Sequence, residues 1–461
     1  MNFKQLRNIY FLGIGGIGMS AIARWFNVNG YRVAGYDRTP TPLTEALQAE
    51  GIAIHFDDAI SQIPAEFVQH KDATLVVRTP AVPADHAEWN FLEKEDFQIL
   101  KRSQVLGLLA QNMFLIAVAG THGKTTTSSM VAHVLRHAGR NCTAFLGGIT
   151  QNYGTNFLLN EETTDLRSVL CVVEADEFDR SFLTLFPDVA IVTSTDADHL
   201  DIYGDGAQVL DSFGKFVNQI KPEGQLFQRK GLSLASKTSA TVREYGLDEG
   251  EFAAQNVRIS DACFVFDIQH PDGVCEGISL QLPGFHNVEN ATAAFAACRA
   301  VGLSPEEIRA GLDTYLGVKR RFEYHVRQPD RVYIDDYAHH PTEIEAFLKS
   351  VRALYPGRKL TAVFQPHLFS RTRDFLDGFA EALGLADELL LLDIYPAREQ
   401  PISGVTSELL LGKVPLERKQ IYTKAGVLEY IRANPAEVLV TIGAGDIDQL
   451  IVPLREMLRR E

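Results

Sequence analysis

Lys124 and Thr125 sit at the end of the stretch GTHGKT, residues 120–125, where two glycines precede a lysine and a hydroxyl. Backbone N–H groups in such a turn can wrap phosphate oxygens, and a following helix adds its positive end. In that reading Lys124 neutralises the β- and γ-phosphates and Thr125 reaches a magnesium ion. Gly120, Thr121, His122, Gly123, Lys124, Thr125 and Thr126 form the candidate ATP-phosphate set. The full phosphate-loop pattern would need glycine at 118, where this chain has Val118. The plain alternative is a Gly-Thr turn with a solvated lysine.

A second glycine motif stands near the start, GIGGIG, with Gly13, Gly15, Gly16 and Gly18. Its glycines permit a tight turn and close approach of a diphosphate, which a dinucleotide and a nucleotide-sugar both contain. Asp37 closes the next strand, where a ribose would be met. A glycine turn without ligand is the alternative.

Other polar residues gather where apolar runs stop. Glu174 and His199 follow buried-looking runs and are candidate metal ligands. A solvated carboxylate and a packing histidine are the competing readings, and imidazole suits hard Mg²⁺ poorly. Asn287 and Asn290, three apart, would share a helix face, with helix capping as the alternative. Asp336, His339, His340 and Arg371 lie at or just past further strand ends.

These residues need a scaffold of strands and helices. NIYFL reads as a strand, and Met19, Ile22, Ala23 and Phe26 mark one face of the helix after it. FLIAVAG, SVLCVV and VAIVTS read as buried strands around the phosphate loop. Their carboxyl ends should converge on one site. Met130, Val131, Val134 and Leu135 face the core from the loop's helix. Residues 225–283 alternate in short runs and suggest a β-rich insertion, with HPDGV as a hairpin tip. RVYIDDYAHHP, LTAVFQPH, ELLLLDIYP and EVLVTIGAGD repeat the strand-then-polar pattern, and Ile344, Phe347, Leu348 and Val351 line a helix.

The 461 residues suggest about three domains at roughly 150 each. The fold expected is α/β: a Rossmann-like domain over 1–107, a central P-loop ATPase α/β domain with the β-rich insertion over 108–319, and a C-terminal Rossmann-like α/β domain over 320–461. The net charge of −15, with no long basic run, argues against nucleic acid or an anionic membrane as partner. Five scattered cysteines read as free thiols, and no signal segment or membrane span is apparent, so a cytoplasmic protein is expected.

Taken together, GIGGIGMS, GTHGKTTT, EADEFDRSFL, DADHLDIYGD, PGFHNVENATAA, RRFEYH, DDYAHHPTE, FQPHLFSRTRD, IYPAREQPISG and GAGD resemble the Mur ligases of bacterial cell-wall synthesis over essentially the whole chain. Within that family the chain is most similar to the branch that adds the first amino acid. The resemblance implies ATP with Mg²⁺ (Mn²⁺ as a substitute), UDP-N-acetylmuramate and L-alanine as partners, and a monomer or homodimer. It implies a UDP-sugar site at Gly13, Gly15, Gly16, Gly18, Asp37, Thr79 and Pro80. Thr125, Glu174 and His199 match metal positions, and Asn287, Asn290, Arg321 and Asp336 match nucleotide-binding ones. Tyr337, His339 and Arg371 fall where relatives shape the amino-acid site. The implied catalytic set is Lys124, Glu174, His199, Arg321 and His339. Two departures stand out: Ala338 replaces a glycine common in relatives, and Leu368 an arginine found in several.

The implied reaction turns the lactyl carboxylate into an acyl phosphate, which the amine of L-alanine then attacks. A third domain that closes over the site would keep water from the intermediate. The alternatives are a recycling ligase that attaches a tripeptide to the same sugar, an NAD-dependent dehydrogenase, and a non-catalytic nucleotide-binding regulator. No hydride-transfer constellation follows Asp37.

Overall fold

The computed structural model describes residues 3–161, 165–196, 203–260, 263–397 and 399–459. The chain divides into two compact units, residues 1–253 with 292–311, and residues 254–291 with 312–461.

The first unit opens with a parallel sheet of β1 (Asn8–Leu12), β2 (Arg32–Tyr36), β3 (Ala53–His55), β4 (Thr74–Arg78) and β5 (Gln98–Lys101). The spatial order is β3-β2-β1-β4-β5, so strand order reverses beside β1, where the glycine turn emerges. All five residues of β1 are buried, as a strand covered on both faces demands. The helix Ile17–Val28 follows the turn and buries Met19, Ile22, Ala23 and Phe26, the face its spacing predicts. Full burial of a side chain the size of Ile22 or Phe26 stabilises the fold by about 1.5–3 kcal/mol.

A second sheet in this unit contains β6 (Phe114–Ala119), β7 (Cys142–Phe145), β8 (Phe157–Leu158), β9 (Leu170–Glu174), β10 (Val189–Val192), β11 (Gln225–Arg229) and β12 (Thr241–Leu247). These run in the order β12-β11-β10-β6-β9-β7-β8. β6 lies between β9 and β10, parallel to both, so the three expected strand ends are indeed neighbours. The region read as an insertion begins differently from expectation. β11 pairs in parallel with β10, and β12 in parallel with β11, so both extend the nucleotide-binding sheet. Their short alternating pattern concealed this, because β12 is only partly buried and lacks the apolar run of a strand covered on both faces.

β13 (Phe252–Ser260) carries the chain past residue 253. In the second unit β14 (Cys263–His270) and β15 (Gly273–Leu280) form an antiparallel hairpin that turns between His270 and Gly273, at the predicted tip. The main sheet of this unit holds β16 (Glu323–Arg327), β17 (Val332–Asp336), β18 (Leu360–Phe364), β19 (Glu388–Leu391), β20 (Lys419–Ile421) and β21 (Val438–Ile442). Its order is β16-β17-β21-β18-β19-β20, with only β16 antiparallel to its neighbour. The helix Pro341–Leu354 buries Ile344, Phe347, Leu348 and Val351. No helix among the described residues is long and apolar enough to cross a membrane.

Candidate active site

The phosphate loop is built by the end of β6 and the start of the helix Lys124–His137. Gly120 (φ 136°) and Gly123 (φ 80°) take backbone conformations that side chains oppose, which explains both glycines. β10 holds the loop in place through the residues just beyond it. Thr121 N donates to Ser194 O at 3.2 Å, and His122 N donates to Ser194 Oγ at 2.8 Å. Thr193 Oγ1 donates to the His122 carbonyl, and Thr121 Oγ1 to Asp196 O at 2.8 Å. His122 Nε2 also lies 3.3 Å from Asp196 Oδ2.

Lys124 is folded back on its own loop. Its Nζ donates to Gly120 O at 2.7 Å and Thr121 O at 3.3 Å, and pairs with Glu177 Oε1 at 2.9 Å and Oε2 at 2.8 Å. Both side chains are nearly shut off from solvent, at 13% and 3% exposure. Burial works against the lysine charge, but the carboxylates of Glu177, Asp176 and Glu174 outweigh it, so Lys124 is held above its ordinary pKa. Its ammonium is charged throughout the physiological range.

Glu174 ends β9 beside this loop, paired with Val118 across the ladder. Its Oε2 accepts from Gly147 N at 3.0 Å, and a Cβ at Gly147 would overlap the carboxylate. Asp176 Oδ2 meets Arg102 Nη2 at 3.1 Å, and Asp179 Oδ2 meets Lys101 Nζ at 2.8 Å. The Arg102 guanidinium lies against Gly18, where any Cβ would strike it. A cavity of about 90 Å³ is lined by Gly18, Arg102, Gly147, Glu174 and Asp176, so the first glycine motif and the strand end next to the phosphate-loop strand border one space. Thr125 and Thr126 are buried at the start of the loop's helix. His199 lies outside the described residues.

In the first turn, Gly13 is left-handed at φ 84° and would meet Thr79 Cγ2 at 2.6 Å if it carried a Cβ. Gly16 caps the helix Ile17–Val28. Asp37 Oδ2 accepts from Gly15 N at 2.7 Å, and its Oδ1 from Thr39 N at 3.3 Å. The acid expected beside a ribose thus binds the glycine turn itself. Thr79 is half-buried just past β4, and Pro80 is exposed.

The second unit collects the other candidates. Arg320 (φ 61°) and Phe322 (φ 49°) are left-handed, a strained arrangement for side chains of their size. Carboxylates hold it: Arg320 N donates to Glu323 Oε2 at 2.7 Å, and Phe322 N to Asp336 Oδ2 at 2.8 Å. Asp336 also accepts from Ala338 N at 2.7 Å. Burial pushes its pKa up to about 7, against the pull of Arg321 and these two N–H groups. Arg321 Nη1 stands 3.9 Å from Glu343 Oε1, and its guanidinium lies 5.2 Å from the centre of the Tyr337 ring. His339 Nδ1 is 3.3 Å from Glu343 Oε2. The His339 ring touches those of Tyr337 and His367, and His367 Nδ1 is 3.3 Å from Arg371 Nη1. His340 caps the helix Pro341–Leu354.

Asn287 and Asn290 lie inside the helix Phe285–Ala300, so neither is its cap. Asn287 Nδ2 donates to Pro283 O at 2.6 Å, and Asn290 Nδ2 to Asn287 Oδ1 at 3.3 Å. Leu368 is buried with φ 72°, at the N-cap of the helix Phe369–Asp374. Reasoning from the sequence passed over Glu177, Asp176, Arg102 and Glu343. The acids were visible in EADEFD and HPTE, but Asp176 and Glu177 meet their cations, Arg102 and Lys124, only across the fold.

A parallel sheet that delivers a phosphate loop and an acidic neighbouring strand end defines a P-loop nucleotide-binding α/β protein. The chain belongs to the Mur ligase family. Family models match in order along it: "Mur ligase family, catalytic domain" over 8–113, "Mur ligase middle domain" over 118–298, and "Mur ligase, glutamate ligase domain" over 320–445. It is 49% identical to UDP-N-acetylmuramate–L-alanine ligase of Cytophaga hutchinsonii, over 99% of this chain and 97% of that one. It is 48% identical to the enzyme of the same name from Flavobacterium psychrophilum, over 99% of each. Among solved structures, UDP-N-acetylmuramate-alanine ligase of Thermotoga maritima superposes with a TM-score of 0.81 at 28% identity, over 97% of this chain and 98% of that one. A murein peptide ligase from Psychrobacter arcticus shares the fold, with a TM-score of 0.72 at 24% identity over 99% of each chain. The three-domain α/β architecture expected from the sequence is the architecture of this family.

Proposed function

We propose that this chain is an ATP-dependent ligase that joins L-alanine to the lactyl carboxylate of UDP-N-acetylmuramate, releasing ADP and phosphate. The observation that carries the reading is a cavity bordered by Gly18 of the first glycine motif and by Glu174, which ends the strand beside the phosphate-loop strand. Transfer of phosphate from ATP to an acid carried on a UDP-sugar requires two such sites to adjoin. Full-length identity of 48–49% to enzymes named for this reaction supports the same reading. The tripeptide-adding alternative is not favoured, and a dehydrogenase would need Asp37 for a ribose.

A carboxylate is a poor electrophile, because its charge repels nucleophiles and oxide does not leave. One carboxylate oxygen attacks the γ-phosphorus, the bond to ADP breaks, and an acyl phosphate forms. The neutral amine of L-alanine then attacks the carbonyl carbon. Phosphate departs with the electrons of the C–O bond, and the amine gives up a proton. Lys124 and the N–H groups of residues 120–126 hold the phosphates and offset charge on the transferring group. Thr125 and Glu174 offer the hard oxygen donors that suit Mg²⁺ or Mn²⁺, with His199 as the third candidate ligand. That ion, when bound, would neutralise phosphate charge.

We assign Gly13, Gly15, Gly16, Gly18, Thr79 and Pro80 to the UDP-sugar, with Asp37 clamping their turn. Asn287, Asn290, Arg321 and Asp336 are assigned to ATP, and Tyr337, His339 and Arg371 to L-alanine. His339 is also the candidate acceptor of the amine proton, supported by its carboxylate neighbour Glu343. The proposed domains are 1–107, 108–319 and 320–461. A cytoplasmic location is supported by five cysteines that are all free thiols.

The test supplies Mg-ATP and UDP-N-acetylmuramate with L-alanine, glycine, L-serine or a tripeptide in parallel, and follows phosphate release. Release with L-alanine is expected. Release only with the tripeptide, or with none of them, overturns the proposal.

A further inference from the structure

Asp176 and Glu177 are consecutive, yet each pairs with a cation at a different nucleotide motif. Asp176 pairs with Arg102, which lies on Gly18 of the first motif, and Glu177 pairs with Lys124 of the phosphate loop. The segment is fastened further by Lys101 on Asp179, and its backbone is left-handed at Asp179 and Arg180, with φ of 53° and 54°. Lys101 and Arg102 are themselves consecutive, so two adjacent cations grip one short acidic stretch.

Lys124 has three N–H donors and directs them to Gly120 O, Thr121 O and Glu177. A phosphate oxygen that takes this ammonium must displace one of the three. The two carbonyls belong to the loop that cradles the phosphate, so the carboxylate of Glu177 is the acceptor that can swing away. At Arg102 the carboxylate of Asp176 holds Nη2, and a diphosphate arriving at Gly18 competes with it for the charge of the same guanidinium.

We infer that Asp176 and Glu177 are positioning residues that couple the two nucleotide sites, each standing in for the phosphate its cation will receive. Displacing one carboxylate moves the peptide it shares with the other and loosens the second cation. Binding at either site therefore strengthens binding at the other, by the same factor in both directions. The inference rests on the proposed assignment of the first motif to a UDP-sugar.

The full-length protein is titrated with a non-hydrolysable ATP analogue and Mg²⁺, with and without saturating UDP-N-acetylmuramate, and then in the reverse arrangement. Each ligand is expected to bind alone, and each to tighten the other by roughly fivefold or more. Failure of the UDP-sugar to bind at all defeats the assignment of the first site. Binding of both with unchanged affinities leaves that assignment standing and overturns the coupling. Glu177→Gln should bind the analogue several-fold more tightly without the sugar and show reduced coupling. Asp176→Asn should keep both ligands and lose most of the coupling. Full coupling retained in both variants also overturns the inference, because a merely structural pair would behave that way.

Discussion

The carboxylate of Asp37 accepts a 2.7 Å hydrogen bond from the backbone N–H of Gly15. An acid at the end of the second strand of a Rossmann-like unit is normally available to a ribose. Here it organises the glycine turn before any ligand arrives. Asp37→Ala should therefore lower the stability of the ligand-free protein by about 1 kcal/mol, as well as weaken UDP-sugar binding. Asp37→Asn, which keeps an acceptor oxygen, should recover most of both. Denaturation without ligand is the deciding measurement. Unchanged stability of Asp37→Ala would mean that the residue serves only the nucleotide.

Lys124→Ala should abolish turnover, and it should also destabilise the fold. It leaves Glu177, only 3% exposed, without its cation, and breaking a buried pair from one side costs about 3 kcal/mol or more. The double variant Lys124→Ala/Glu177→Gln should regain much of the stability and none of the activity. Thermal melts and phosphate release on both proteins separate the two effects. Activity in the double variant would remove Lys124 from the catalytic set.

Gly147→Ala should act at a distance of one side chain. Its Cβ would collide with the Glu174 carboxylate and turn it from the cavity. If Glu174 helps to hold Mg²⁺, the variant needs a higher Mg²⁺ concentration for half-maximal rate. A change in maximal rate with no shift along the Mg²⁺ axis would assign Glu174 another role.

His133 supplies a pH prediction. It is buried on the phosphate-loop helix, its Nδ1 is 2.9 Å from Tyr153 Oη, and burial lowers its pKa to about 4. Between that value and the unfolded value near 6.5, the unfolded chain binds the proton that the folded chain refuses. The contribution is thus fully present above pH 6.5 and is lost as the pH falls toward 4. At pH 5 it should have lost about 2 kcal/mol, a loss that His133→Gln should not show. Denaturant midpoints at pH 7 and pH 5 for the two proteins provide the comparison.

Much of the scaffold was legible because parallel strands buried on both faces are written as apolar runs. β1, β6, β10, β17 and β21 all fall where such runs do. β16 escaped because Glu323–Arg327 is only partly buried and lacks the run. β11 and β12 were seen as β structure but not as part of the nucleotide-binding sheet. The candidate site divides in the same way. Lys124, Glu174 and Asp336 announce themselves at the ends of apolar strands. Glu177 and Arg102 do not, since their partners are set by which strands become neighbours. Asp37 was noticed for the right reason, its place after β2, yet its bond to Gly15 depends on the path of a turn.

The stretch Arg320–Phe322, left-handed at its first and last residues, bears on how this chain can be divided for study. Its backbone donors are bonded to Glu323 and Asp336, and Tyr337 N donates in turn to Arg320 O at 2.7 Å. The segment that opens the region expected to start at residue 320 is thus tied to the end of β17. A fragment of the C-terminal region cut at residue 322 would leave Asp336 buried without a donor it needs. Expression boundaries belong upstream of Val318, whose carbonyl receives Arg321 N at 3.1 Å.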